Sequence, residues 1–297
     1  MTTRTEKILV TGSKGQLGHD VTKELKLRNF VNVCGIDIDE VDLTNETSTK
    51  KFVKEFHPDV IIHNAAWTNV DKAEINKDIV YSINALAPKY LAEVAHELDA
   101  KMLYISTDYV FDGKGEEFFE TNSPKNGLSV YGKTKSIGED YVSSILKKYW
   151  IIRISWVFGV HGKNFIKTMI KLAQSGKKNI DVVVDQIGSP TYTKDLANLI
   201  VNVIESDKYG FYHATNEGTC SWYELAKYVL SKCGYKDIIV NPVTTEEYKK
   251  IVPNQAERPL NSRLSKRSLD NAGFSRLPDW RNAVDRYLSE LKELGEL

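Results

Sequence analysis

The chain of 297 residues carries 40 Lys plus Arg against 40 Asp plus Glu, so its formal net charge is zero. That balance excludes the basic excess that drives binding to nucleic acid or to an anionic membrane surface. Hydrophobic residues at 41% and charged residues at 27% describe an ordinary globular chain, long enough for about two domains of roughly 150 residues each. No stretch approaches the roughly 18 apolar residues of a membrane span. The apolar run Ile8-Leu9-Val10 near the start is too short for a secretion signal. Cys34, Cys220 and Cys233 are odd in number and lack CxxC spacing, which reads as reduced, inert thiols. A cytoplasmic protein with neither a nucleic-acid nor a membrane partner is expected.

In chain order, Lys7–Val10 reads as a strand, residues 16–28 as a helix and Val31–Ile36 as a second strand. Strands Asp59–His63, Lys101–Ser106 and Trp150–Ile154 follow, separated by helices around 46–56, 76–99 and 133–148. Continuous apolar strands alternating with helices imply an α/β fold, a doubly wound parallel sheet of the Rossmann type. Residues 1–157 are expected to form a dinucleotide-binding domain. The remainder, 158–297, is less regular, with helices near 163–175, 193–206, 221–232, 244–250 and 279–294 and short strands at 180–184, 210–213 and 237–240. It reads as a smaller α/β substrate-binding domain, with one return to the sheet near 180–205. Doubly wound sheets bind ligands at the carboxyl ends of their strands, so functional residues are sought directly after each strand.

After the first strand comes Thr11-Gly12-Ser13-Lys14-Gly15-Gln16-Leu17-Gly18. Gly12 permits a tight turn, Gly15 lets backbone approach a pyrophosphate and Gly18 lets the helix pack on the strand, with the anion at the helix N-terminus. Asp37 follows the second strand about 20 residues later, where an acid accepts from the adenine ribose. A nicotinamide dinucleotide is therefore the expected cofactor, held by Gly12, Lys14, Gly15, Gln16, Leu17, Gly18 and Asp37. Asp37 favours NADH by repelling a 2′-phosphate, whereas Lys14 favours NADPH by attracting one. These two features conflict, and use of either NAD(H) or NADP(H), or both, stays open. Asp42 and Leu43 suit the adenine, although Asp42 reads equally well as a helix cap.

The strand DVIIH runs into Asn64-Ala65-Ala66-Trp67, where Ala65 and Ala66 leave room for a cofactor and Trp67 borders it. The strand KMLYI runs into Ser106-Thr107-Asp108-Tyr109, and Tyr131 and Lys135 then stand at i and i+4 on one helical face. A carbonyl oxygen that gains charge as hydride arrives needs a proton. Tyr131 donates it, Lys135 is expected to lower the phenol's pKa and to hold the nicotinamide ribose, and Thr107 orients the carbonyl. Glycine loop, strand-end Thr and Tyr-xxx-Lys in this order define a short-chain dehydrogenase/reductase of the extended kind.

The segments GSKGQLG (12–18), NAAWTNVDKAE (64–74), STDYVFDG (106–113), YGKTKSIGE (131–139), RISWVFG (153–159), DQIGSPTYTKDLA (185–197) and RPLNSRL (258–264) resemble the dTDP-4-dehydrorhamnose reductase family. The resemblance implies reduction of the 4-keto group of a dTDP-6-deoxy-hexulose to dTDP-L-rhamnose, with Tyr131, Lys135 and Thr107 as the catalytic set. It places Val70, Asp71, Asp108, Tyr109 and Trp156 around the sugar. Trp156, just past a strand end, offers an apolar face to a deoxysugar or else packs in the core. Asn164 and Arg258 are candidates for the nucleotide diphosphate; Arg258 reads equally as a salt-bridge residue. Some family members are linked to Mg²⁺, but no ligand cluster is legible here, so no metal ligand is assigned. The oligomeric state stays open, a homodimer among the candidates.

Two rivals share the resemblance. The regulatory subunit of methionine adenosyltransferase is similar to the same family and binds NADP without this reaction. A reductase or epimerase of another nucleotide sugar, including one giving the C4 epimer, uses the same residue types.

Overall fold

The computed structural model describes residues 3–297. Six parallel strands form the central sheet: β1 (Arg4–Thr11), β2 (Phe30–Ile36), β3 (Val60–His63), β4 (Lys101–Thr107), β5 (Tyr149–Ile154) and the outer strand Gly210–His213. Their order across the sheet is β2, β1, β3, β4, β5 and Gly210–His213, so the direction in which successive strands are added reverses between β1 and β3. A crevice opens at such a reversal, beyond the carboxyl ends of the strands.

Strict alternation along each strand sorts the core into two layers. Ile8, Val10, Ile62, Leu103, Ile105 and Ile152 face a layer completed by helices Gln16–Leu27 and Thr193–Ile204. Leu9, Ile61, Met102, Tyr104 and Ile151 face the other, completed by Ala87–Glu97 and Val130–Ile145. All these strand residues are buried, which is why the runs are apolar on both faces.

The return to the sheet reaches past residue 205. Thr193–Ile204 packs against Gln16–Leu27, and Gly210–His213 pairs with β5 from Trp150 to Arg153. The helix read over 76–99 is broken into Lys77–Tyr81, a π-helical turn Ser82–Leu86 and Ala87–Glu97. Asn84 in that turn is buried, takes the backbone N–H of Trp67 at 2.8 Å and, through its own carbonyl, the Tyr104 hydroxyl at 3.1 Å. A local widening of this kind re-aims a side chain that a regular helix would point elsewhere. Beyond the sheet, helices Phe165–Gln174, Trp222–Lys232 and Trp280–Glu293 enclose a further core around Phe158, Leu225 and Tyr287. Strands Asn179–Val183 and Ile239–Val243 pair in parallel beside it.

Candidate active site

A cleft of about 630 Å³ lies over the carboxyl ends of the strands. Gly12, Gly15, Gln16, Leu17, Gly18, Asp37, Asp42, Leu43, Ala65 and Ala66 line one end, and Val70, Thr107, Asp108, Tyr109, Tyr131, Lys135 and Trp156 the other. The cleft therefore gathers the loops after β1, β2, β3, β4 and β5, as the alternation of strands and helices requires.

The glycine loop is built for a close approach. Gly12 sits at φ +64°, and a Cβ there would lie 2.8 Å from the backbone N of Ala65. A Cβ on Gly18 would strike the Gly12 carbonyl oxygen at 2.1 Å. Gly15 caps the helix Gln16–Leu27 without a side-chain bond, and its first turn holds no acid, leaving its N–H groups and dipole facing the cleft. Asn64 Oδ1 and Ser106 Oγ are buried without a hydrogen-bond partner, and both residues line the cleft. Free amides at one end and orphaned polar atoms at strand ends fit a dinucleotide laid across the sheet.

At the other end, Val130–Ile145 begins with Ser129, whose side chain accepts from the backbone N–H of Gly132 at 3.2 Å. This fixes Tyr131 and Lys135 on the cleft side. Deeper in the same helix, Glu139 forms a buried bidentate pair with Arg153 of β5, both contacts 2.8 Å. Helix and sheet are thereby held in one register. Tyr131 and Tyr109 meet edge to face at 5.4 Å between ring centroids, and the Thr107 hydroxyl interacts with the Tyr131 phenol.

The expectation that Lys135 lowers the Tyr131 pKa is corrected by the geometry. Lys135 donates to the Ile105 carbonyl at 2.7 Å and sits 4.0 Å over the Tyr104 ring, directed into the protein. Burial raises the Tyr131 pKa, opposed by the Thr107 hydroxyl and reinforced by Asp108. Burial also pushes Lys135 down to about 7, with Glu139 pulling the other way. Asp108 is 3% exposed and accepts from Thr107 Oγ1 at 2.9 Å and from the Ser262 hydroxyl. Burial pushes its carboxyl up to about 6 against those bonds.

Five expected residues stand away from the cleft wall. The Lys14 side chain turns to Asp39 and Glu40, at 2.8 Å from each. Trp67 donates from its indole to the Asn69 carbonyl. Asn164 caps Phe165–Gln174, and its amide bonds Gln16 Oε1, Gly159 O and Tyr287, so its donors are taken within the protein. Asp71 and Arg258 form an ion pair beside the cleft, the salt-bridge alternative for Arg258. Asp42 lines the cleft while accepting from Thr44 N and Oγ1, so it also shapes the turn before Glu46–Phe56.

Several cleft residues carried no recognised signal in the sequence. Trp222 stacks on Trp156 at 3.7 Å and 14°, and Trp156 itself adopts φ +50°, a left-handed conformation rare for a bulky residue. The capping box of Ser221 and Glu224 marks the helix start that places Trp222, but nothing local brings it to Trp156. Ile38 and Val41 also line the adenine end. Among the described residues, no three His, Cys, Asp or Glu side chains gather as metal ligands.

Parallel doubly wound sheet, glycine loop and Thr–Tyr–Lys cleft together define an extended short-chain dehydrogenase/reductase. Residues 6–293 match the family described as the RmlD substrate binding domain. The chain is 37% identical to dTDP-4-dehydrorhamnose reductase of Aggregatibacter actinomycetemcomitans, over 94% of this chain and 97% of that one. The crystal structure of such a reductase from Clostridium acetobutylicum superimposes with a TM-score of 0.91 at 41% identity, covering 96% of this chain and 99% of that one. One from Bacillus anthracis, solved in complex with NADP, gives 0.91 at 38% identity, covering 97% and 100%. The chain belongs to the dTDP-4-dehydrorhamnose reductase family.

Proposed function

We propose that the chain reduces the 4-keto group of dTDP-4-dehydro-6-deoxy-L-mannose to give dTDP-L-rhamnose, using NADH or NADPH. The observation that carries this reading is the meeting, in one cleft, of the glycine loop with Thr107, Tyr131 and Lys135. When bound, a reduced nicotinamide supplies hydride to the carbonyl carbon. Gln16 and Leu17 would hold its pyrophosphate through backbone N–H groups at the helix start, and Asp37 would accept from its adenine ribose.

Tyr131 gives its phenolic proton to the carbonyl oxygen as charge develops there. Its raised pKa keeps that proton in place until the oxygen becomes basic. Thr107 orients the oxygen, and Lys135, anchored on the Ile105 carbonyl at the cleft wall, would donate to the nicotinamide ribose. Tyr109, Val70 and the Trp156–Trp222 stack offer apolar walls to a 6-deoxysugar. Asp71 and Arg258, paired beside the cleft, close the sugar end. No helix among the described residues is long and apolar enough to cross a membrane. That, with three free cysteines, supports a cytoplasmic setting.

The test is direct. Purified protein is mixed with the keto sugar nucleotide and either cofactor, and the loss of nicotinamide absorbance is followed. The product is then identified by NMR. No oxidation of either cofactor would overturn the reductase reading in favour of a binding subunit, and the C4 epimer as product would overturn the sugar assignment.

A further inference from the structure

Lys14 and Asp37 pull in opposite directions on cofactor choice, and their surroundings decide between them. We propose that Asp39 and Glu40 make this chain select NADH over NADPH, by withdrawing Lys14 from the 2′ position of the adenine ribose. The proposal rests on the cleft being a nicotinamide-dinucleotide site.

Residues 34–49, from the end of β2 through the first turn of the helix Glu46–Phe56, contain five acids and no Lys or Arg. Asp37 and Asp42 of this stretch line the cleft, with the exposed side chain of Ile38 between them. Across from them, Lys14 is the only Lys or Arg in residues 8–22. It is therefore the one cation that the glycine loop itself offers to a ribose phosphate.

That cation is already engaged. Its Nζ lies 2.8 Å from Asp39 Oδ2 and 2.8 Å from Glu40 Oε1. Glu40 is not a loose partner, because its second oxygen accepts from the backbone N–H of Asp37 at 2.8 Å. The Asp37 carboxylate takes the backbone N–H of Lys14 at 3.2 Å and that of Ile38 at 2.8 Å. Loop and turn are thus laced together by both the backbone and the ammonium of Lys14.

Charge then discriminates between the two cofactors. Asp37, Asp39, Glu40 and Asp42 against Lys14 leave a local balance of 1 − 4 = −3. A 2′-phosphate brings about two more negative charges into that field. To bind Lys14 it must strip the ammonium from two carboxylates at once and leave both beside itself. A 2′-hydroxyl asks only for an acceptor, which Asp37 provides. Each exposed ion pair is worth little alone. Here they act together, within a Debye length of one another, and against the same phosphate.

The experiment compares kcat/KM and fluorescence-derived Kd for NADH and NADPH in the wild type and in Asp39→Asn/Glu40→Gln. The wild type is expected to favour NADH. In the double variant, the NADPH-to-NADH ratio should rise by up to about fivefold, the scale of an exposed ion pair. Adding Lys14→Met to that variant should remove most of the gain, leaving only the part that comes from two fewer carboxylates. A wild-type preference for NADPH, an unchanged ratio in the double variant, or a gain that survives Lys14→Met in full would each overturn the proposal. If the wild type binds neither cofactor, it is the dinucleotide reading that fails. If NADH binds and turns over but the acids do not matter, only this proposal fails.

Discussion

Arg258 and Asp71, 187 positions apart in the chain, meet with guanidinium Nη2 2.8 Å from carboxylate Oδ2. The backbone N–H of Ala256 donates to the other carboxylate oxygen at 2.9 Å. A few residues on, the Asn261 N–H bonds the Gly113 carbonyl and Ser262 bonds Asp108. The segment 256–262 is therefore fastened over the loop that carries Thr107, with the Asp71 contact at its outer end. Arg258→Met is expected to raise the KM for the sugar nucleotide roughly tenfold while costing no more than about 1 kcal/mol of stability, as a partly exposed ion pair should. Steady-state kinetics alongside thermal unfolding would check this, and an unchanged KM would remove the segment from the sugar site.

Tyr131→Phe deletes one oxygen and leaves the packing against Tyr109. The expected outcome is a loss of about 10²–10⁴ in kcat with the NADH Kd unchanged, since only the proton donor is gone. Fluorescence titration and turnover on one preparation separate the two effects. A fully active variant would mean that another group supplies the proton.

Lys135, buried and pushed down to about 7, gives a pH dependence of definite sign. Below that value it is an ammonium whose charge and donors serve the nicotinamide ribose, and above it the charge is lost. The free-enzyme profile of kcat/KM for ketone reduction should therefore fall on the alkaline side of about 7. Lys135→Met should be slow and lack that limb. For stability the sign is opposite, because the folded pKa lies below the unfolded one: the buried ammonium weakens the fold at low pH, and the cost fades as pH rises above 7.

Asp108 carries the complementary prediction. Its carboxyl, pushed up to about 6, is destabilised when ionised, so stability should fall as pH rises from the ordinary Asp range through 6. Asp108→Asn is expected to stabilise the protein at pH above that range by at most about 3 kcal/mol, with the gain shrinking in acid. It should also slow turnover by disturbing the Thr107 hydroxyl. Denaturant unfolding at two pH values would test the sign, and a loss of stability in mild alkali would contradict it.

Much of the fold was legible because its signals are local. Runs such as Ile8–Val10 and Asp59–His63 announce buried parallel strands, and the glycines at 12, 15 and 18 announce a turn that only they allow. The spacing of Tyr131 and Lys135 put both on one helical face before any contact was known. Other features have no local signal. The helix expected over 76–99 opens into a π turn because Asn84 bonds Trp67 and Tyr104, which lie elsewhere in the chain. Trp222 joins the cleft only because it stacks on Trp156.

By itself, the sequence determined a doubly wound sheet, a phosphate loop and a Thr–Tyr–Lys set, since strand alternation, glycine sterics and helical period act over a few residues. Tertiary structure alone decided where the polar side chains spend their hydrogen bonds. Lys14 goes to Asp39 and Glu40 rather than to the ribose, Asn164 to a helix cap, and Arg258 to Asp71. Lys135 turns to a backbone carbonyl instead of toward Tyr131. A donor's partner depends on which groups burial and folding bring within about 3 Å of it, and that distance is set by the whole chain.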